Sequence, residues 1–281
     1  MNRSLIQDLY FKAFRSGNPI FLLMGINILV FLIINLIALA EFLSTGQSPI
    51  AGIITKALSV PSALTDLPSK FWTLITYMFV QRDFFHILFN LLWLYWMGII
   101  FMDFLNKRQF FFTYIFGGIL GAATYLIAYN TIPAFTNLSS FLLGSSASVM
   151  AIVIATATLV PDYTLRLLLF GTVKLKYLAL AYFVLDIIGM GGGNPGGSIA
   201  HIGGAIAGFI FIKQLQSGRD LSNILKRKPK LKVVKNSPNY STGKAEPDQE
   251  TIDKILDKIS KSGYDSLSKS EKEQLFKASK K

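Results

Sequence analysis

Residues 109–161 read QFFFTYIFGGILGAATYLIAYNTIPAFTNLSSFLLGSSASVMAIVIATATLVP, without a single Asp, Glu, Lys or Arg. A helix needs about 20 apolar residues to cross the hydrocarbon core of a bilayer, so this stretch holds two crossings. Asn130, Pro133, Asn137, Ser139 and Ser140 divide it into roughly Phe110–Tyr129 and Gly144–Val160. Working outward, Phe84–Met102 is a further charge-free span, bounded by Asp83 and Asp103, and Pro19–Ala40 is another. Toward the C-terminus, Leu175–Met190 carries Asp186, and Ile199–Ile212 is short. The Gly/Pro-rich run Gly189–Gly197 lies between them. Six spans are expected.

Composition agrees. Of 281 residues, 52% are hydrophobic and 16% charged, and the mean hydropathy is +0.46. Soluble domains are about a quarter charged, so here too much apolar surface lacks polar cover. The fold class is therefore an all-α polytopic membrane protein. Pro19–Ala40 is too long for a signal-peptide core and has no convincing cleavage site, so it is expected to stay as an anchor.

Charge orients the bundle. Seventeen Lys/Arg and nine Asp/Glu lie in residues 213–281, whereas residues 17–212 hold only eight and six. Arg3, Lys12 and Arg15 precede the first span, and Lys107 and Arg108 lie in the 2–3 turn. Arg166, Lys174 and Lys176 lie between spans 4 and 5. The opposite face has only Lys56, Lys70 and Arg82, all in the first loop. The positive-inside rule places both termini in the cytoplasm. The expected organisation is an N-terminal arm (1–18), a membrane domain (19–214), a basic juxtamembrane linker (215–247) and a helical hairpin (248–281).

In the hairpin, Ile252, Ile255, Leu256 and Ile259 form one stripe that stops near Gly263, and Ser268-x-x-Glu271 is a capping box opening a second helix. It is too small for an independent enzyme and fits a small cytosolic docking or regulatory element, with a possible cytosolic partner. The basic stretch Lys226–Lys235 is placed to meet anionic lipid heads; no nucleic-acid partner is expected. Gly117-x-x-x-Gly121 and Gly204-x-x-x-Gly208 would let helix backbones approach closely. In the first outside loop, residues such as Trp72 and Tyr77 suit a segment lying in the membrane interface.

The chain has no cysteine and two histidines. Disulfides, thiol nucleophiles and three-histidine zinc sites are excluded, and no metal or cofactor is expected. Polar residues inside a span are costly and point to function. Here they are His86 and Asn90 in span 2, Ser145, Ser146 and Ser148 in span 4, Asp186 in span 5 and His201 in span 6. Spans 2, 4 and 6 run in one direction, so His86, Asn90, Ser146 and His201 fall at one depth near the outer face. A hydroxyl nucleophile needs a base, and an oxyanion needs donors. His86 and Asn90 share a helix face, and Gly144 permits a tight turn into span 4. Ser145 and Ser146 both qualify as the nucleophile on these grounds. Ser148 reads as structural. Asp186 has no partner carboxylate and reads as a residue of packing or of the end of span 5.

These residues resemble the rhomboid intramembrane serine proteases over about residues 17–215. His86-Ile-Leu-Phe-Asn90 matches H-x-x-x-N on span 2. Gly144-Ser145-Ser146-Ala147 matches G-x-S-x at the start of span 4, and Ala200-His201-Ile-Gly203-Gly204-Ala-Ile-Ala-Gly208 matches A-H-x-G-G-x-x-x-G on span 6. The resemblance implies a six-helix rhomboid-like bundle and a dyad of Ser146 as nucleophile and His201 as base, without a third acidic member. His86, Asn90 and backbone near Ser146 would form the oxyanion site. It also implies transmembrane protein substrates entering laterally near span 5, beneath the loop Gly189–Gly197, and residence in a bacterial cytoplasmic membrane. The family often has an aromatic residue four positions after the serine, where this chain has Met150. A Trp–Arg pair found in the first loop of some members has no counterpart. Two rival readings are a non-catalytic client binder, against which intact Ser146 and His201 argue, and a proton-relaying transporter, which would need polar residues through the full depth.

Overall fold

The computed structural model describes residues 4–136, 138–167, 171–192, 194–226 and 248–279. The chain divides into two units, Met1–Arg227 and Lys228–Lys281.

In the first unit, α1 (Leu5–Tyr10) runs into a π-helical turn, Phe11–Arg15. Asn18 then accepts from the Ile20 amide and Pro19 takes the first turn of α2 (Pro19–Thr45), since proline lacks only an N–H that the helix start cannot use. The first loop is built rather than loose. It contains α3 (Pro49–Leu58), β1 (Val60–Pro61), α4 (Thr73–Thr76) and a 3₁₀ turn, Tyr77–Phe79. Asp83 caps α5 (Phe84–Phe104) by accepting from the His86 amide. Asn106 and Gln109 form a capping box at the start of α6 (Lys107–Thr131). After β2 (Phe141–Leu142) comes α7 (Ser146–Leu159), and β3 (Thr164–Leu167) pairs with β4 (Gly171–Lys174) ahead of α8 (Leu175–Ile188). A 3₁₀ turn, Gly189–Gly192, leads toward α9 (Pro195–Gln216).

Among the described residues, four helices, α2, α5, α6 and α9, are long and apolar enough to cross a membrane. The fourth and fifth expected spans are shorter than the sequence indicated, with 14 residues each in α7 and α8. At 1.5 Å per residue that is about 21 Å, less than the ~30 Å of hydrocarbon. Eleven residues of α7 are buried, so this helix is surrounded by protein, where a short element loses nothing to lipid. By contrast, α8 buries only Leu175 and Ala179.

Backbone contact organises the centre. A Cβ on Gly204 would run into the Ala147 carbonyl, and one on Gly208 into that of Ala151. On the other side, a Cβ on Gly121 would lie 2.7 Å from that of Ala147. Both small-residue pairs singled out in the sequence therefore grip α7. At the far end of α6, Arg108 donates to Asp220 (2.8 Å) and Ser222 (3.0 Å), tying the start of α6 to the segment after α9.

The first loop differs from the expected interfacial segment. Phe71 and Trp72 are exposed, but Tyr77, Met78, Val80 and Gln81 are fully buried. β1 pairs with β2 (Val60 with Leu142, Pro61 with Phe141), so this loop buttresses the chain entering α7.

In the second unit, α10 (Gln249–Ser262) carries Asp248 as its cap, and Ser268 and Glu271 close the capping box of α11 (Lys269–Ala278). Lys258 bridges to Glu271 at 2.9 Å. These two helices match the sequence reading. The basic stretch 227–235 and the linker 237–247 lie outside the described residues.

Candidate active site

The three polar motifs meet at one end of the bundle. Ser146 is the first residue of α7 and is almost buried. Gly144 before it has φ +117°, a conformation L-residues avoid. A side chain there would also come within 3.1 Å of His86 Cε1. That same point lies 3.6 Å from both His86 Nε2 and Ser146 Oγ, so the imidazole and the hydroxyl flank one small space. The Gly144 amide donates to the Tyr77 carbonyl (2.9 Å), and Tyr77 Oη donates to the Gly118 carbonyl (2.6 Å). The first loop and α6 together fix the turn that presents Ser146.

Gln81 was not foreseen. Its Nε2 donates to Ser145 Oγ (2.7 Å) and to Asn27 Oδ1 (3.1 Å), and its Oε1 accepts from Asn90 Nδ2 (3.0 Å). One buried amide thus joins α2, α5 and the start of α7. Ser145 is held in this network, leaving Ser146 as the serine beside His86. Asn90 spends one N–H on Gln81, and its amide has a second.

His201 lies in the second turn of α9, not the first. Pro195 and Asn194, whose Oδ1 accepts from the Gly197 amide (3.1 Å), start the helix earlier than the glycine content indicated. Residues 195–197 of the Gly-rich run are accordingly helical. Gly204 sits three positions after His201 on α9, and Ala147 follows Ser146 on α7, so the Gly204–Ala147 contact joins the two helix segments that carry His201 and Ser146. No hydrogen bond joins Ser146 to His201 among the described residues, and His201 Nε2 is buried without a partner.

Asp186 lies in the last turn of α8, at the end of the fifth expected span, and it does more than pack. Its Oδ1 lies 2.7 Å from His201 Nδ1, and Ser198 Oγ donates to its carbonyl (3.2 Å) and to Oδ1 (3.5 Å). A sequence signal existed: Leu175, Ala179, Tyr182 and Asp186 fall on one helical stripe, which faces inward. Tyr182 stacks on Trp93 of α5 with ring centroids 4.5 Å apart. Met150, one turn beyond Ser146, is fully buried. A cavity of about 220 Å³ beside these residues is lined by His86, Tyr125, Leu143, Asn194 and Gly196. No group of His, Asp and Glu able to hold a metal occurs among the described residues.

A family model described as the Rhomboid domain matches residues 68–216. This chain belongs to the rhomboid family. Rhomboids comprise intramembrane serine proteases and inactive relatives, and this rhomboid is an integral membrane protein with, among the described residues, four helices long and apolar enough to span the bilayer. A second model, described as a family of unknown function (DUF6576), matches residues 239–281, which include the α10–α11 hairpin. A search of curated proteins found no match.

Proposed function

We propose that this rhomboid is an intramembrane serine endopeptidase that cuts peptide bonds in or near transmembrane segments of other proteins. The observation that carries the reading is the meeting of Ser146, His86 and the Gly144 turn at the head of α7, supported by the Gly204–Ala147 contact that joins the helix of His201 to that of Ser146. Ser146 Oγ attacks the scissile carbonyl as its proton passes to His201 Nε2. The C–N bond then breaks, the proton goes to the leaving nitrogen, and water resolves the acyl-enzyme by the reverse path. The unpaired N–H groups at the start of α7, with His86 and the second N–H of Asn90, are the donors for the oxyanion. Catalytic hydrogen bonds of this kind tighten as substrate binds.

In this reading α7 and α8 complete a six-span bundle, both termini are cytoplasmic, and the site opens toward the outer face of a bacterial cytoplasmic membrane. Substrates enter laterally beside α8, beneath the Gly-rich segment that precedes α9. The organisation remains arm, membrane domain, linker and hairpin. The basic linker meets anionic lipid and the hairpin docks a cytosolic partner. The second reading, a non-catalytic client binder, draws on the absent Ser146–His201 hydrogen bond.

The test is cleavage of a transmembrane peptide with helix-weakening residues in proteoliposomes. Ser146→Ala and His201→Ala should each lower the rate by on the order of 10³-fold or more. Peptide binding without cleavage by the wild type would favour the client binder.

A further inference from the structure

We infer that Asp186 is a positioning residue for His201, holding the imidazole with its proton on Nδ1 and leaving Nε2 bare for the Ser146 hydroxyl. The inference rests on the reading of Ser146 and His201 as a catalytic pair, and adds to that pair an acidic partner on α8.

The Asp186 Oδ1–His201 Nδ1 separation of 2.7 Å is in the range of a charge-assisted hydrogen bond. Both side chains are shielded, with 16% and 12% exposed. An ionised carboxylate can only accept, so the proton in this contact belongs to Nδ1. A neutral imidazole with Nδ1 protonated has an unprotonated Nε2, and that nitrogen is buried without any partner. It is therefore in the form needed to take a proton from a serine.

Asp186 is itself fixed from α9. Ser198, three residues before His201, donates to both the carbonyl and the carboxylate of Asp186. The carboxylate and the ring it orients thus share one anchoring helix. A carboxylate at this depth is costly and persists only when paired. When Ser146 gives up its proton and His201 becomes an imidazolium, the adjacent carboxylate stabilises that charge while the new C–O bond forms. Of the other titratable groups, His86 of α5 borders the small space beside Ser146. Tyr182, one turn before Asp186, is the next along α8. Neither of these supplies a second acceptor for Nδ1.

The chain has two histidines, so ¹⁵N-histidine NMR of the full-length protein in micelles shows two imidazoles, assigned with His86→Ala. At a pH of about 8, where ordinary imidazoles are neutral, wild-type His201 should be the Nδ1–H tautomer, and Asp186→Ala should move it toward Nε2–H. In parallel, Asp186→Asn should lower kcat about 10²- to 10⁴-fold with KM for the peptide changed less than about 2-fold, and Asp186→Glu should restore part of the loss. An Nε2–H tautomer in the wild type would overturn the inference, as would full activity in Asp186→Asn. A wild type that neither cleaves nor reacts with serine probes would sink the protease reading instead. The tautomer would still decide the Asp186–His201 relation, including where a variant fails to fold.

Discussion

Gly204 of α9 rests directly on the carbonyl of Ala147 in α7, one residue after Ser146. No side chain separates the two backbones, so His201, one turn earlier, is carried to a fixed place relative to Ser146. Replacing Gly204 with alanine forces a methyl group into backbone that cannot yield. The expected cost is about 1–3 kcal/mol, read as a lower melting temperature in detergent together with reduced peptide cleavage. An unchanged melt and full activity would contradict this packing.

Gln81→Ala should destabilise the bundle by about 1–3 kcal/mol, because Asn27, Asn90 and Ser145 would each lose a buried partner. Gln81→Glu should be no better, since a carboxylate cannot donate to Asn27 and Ser145. Wild-type stability in either variant would show that the amide network is dispensable.

Gly144→Ala places a side chain at φ +117° and against His86. Backbone strain of this kind costs about 1–3 kcal/mol. Cleavage should fall more than stability does, because the relaxed loop moves both Ser146 and His86. A variant that cuts at the wild-type rate would remove the turn from the mechanism.

The C-terminal hairpin has its own pH dependence. The Ser268 amide and the Lys258 ammonium hold the Glu271 carboxyl down at about 2, against an ordinary value of 4.5. A group depressed on folding gives stability above its unfolded value and loses it as pH falls toward the folded one. Amide protection at Ser268 in the full-length protein should therefore decline from pH about 4.5 toward 2. Glu271→Gln should be flatter across that window. Identical profiles would contradict the capping role.

Much of this was legible in the chain because lipid imposes a simple code. Charge-free runs foretold the four long apolar helices α2, α5, α6 and α9, and costly polar residues such as His86, Ser146 and His201 point to the candidate site. What escaped depends on contacts between residues far apart in sequence. The pairing of Val60 with Leu142 and the reach of Gln81 to Asn27 leave no local periodicity. The early start of α9 was hidden by its glycines, whose low helix propensity is overcome by the Asn194 cap and Pro195. Asp186 was readable from its stripe with Tyr182, but only once α8 was known to turn that face toward α9.

The most direct measurement is labelling of the detergent-solubilised protein with a fluorophosphonate, followed by mass spectrometry of the modified peptide. The expected result is one adduct, on Ser146, lost in Ser146→Ala and strongly reduced in His201→Ala. An adduct on Ser145, labelling that persists in Ser146→Ala, or no labelling of the wild type would contradict the assignment of Ser146 as the nucleophile.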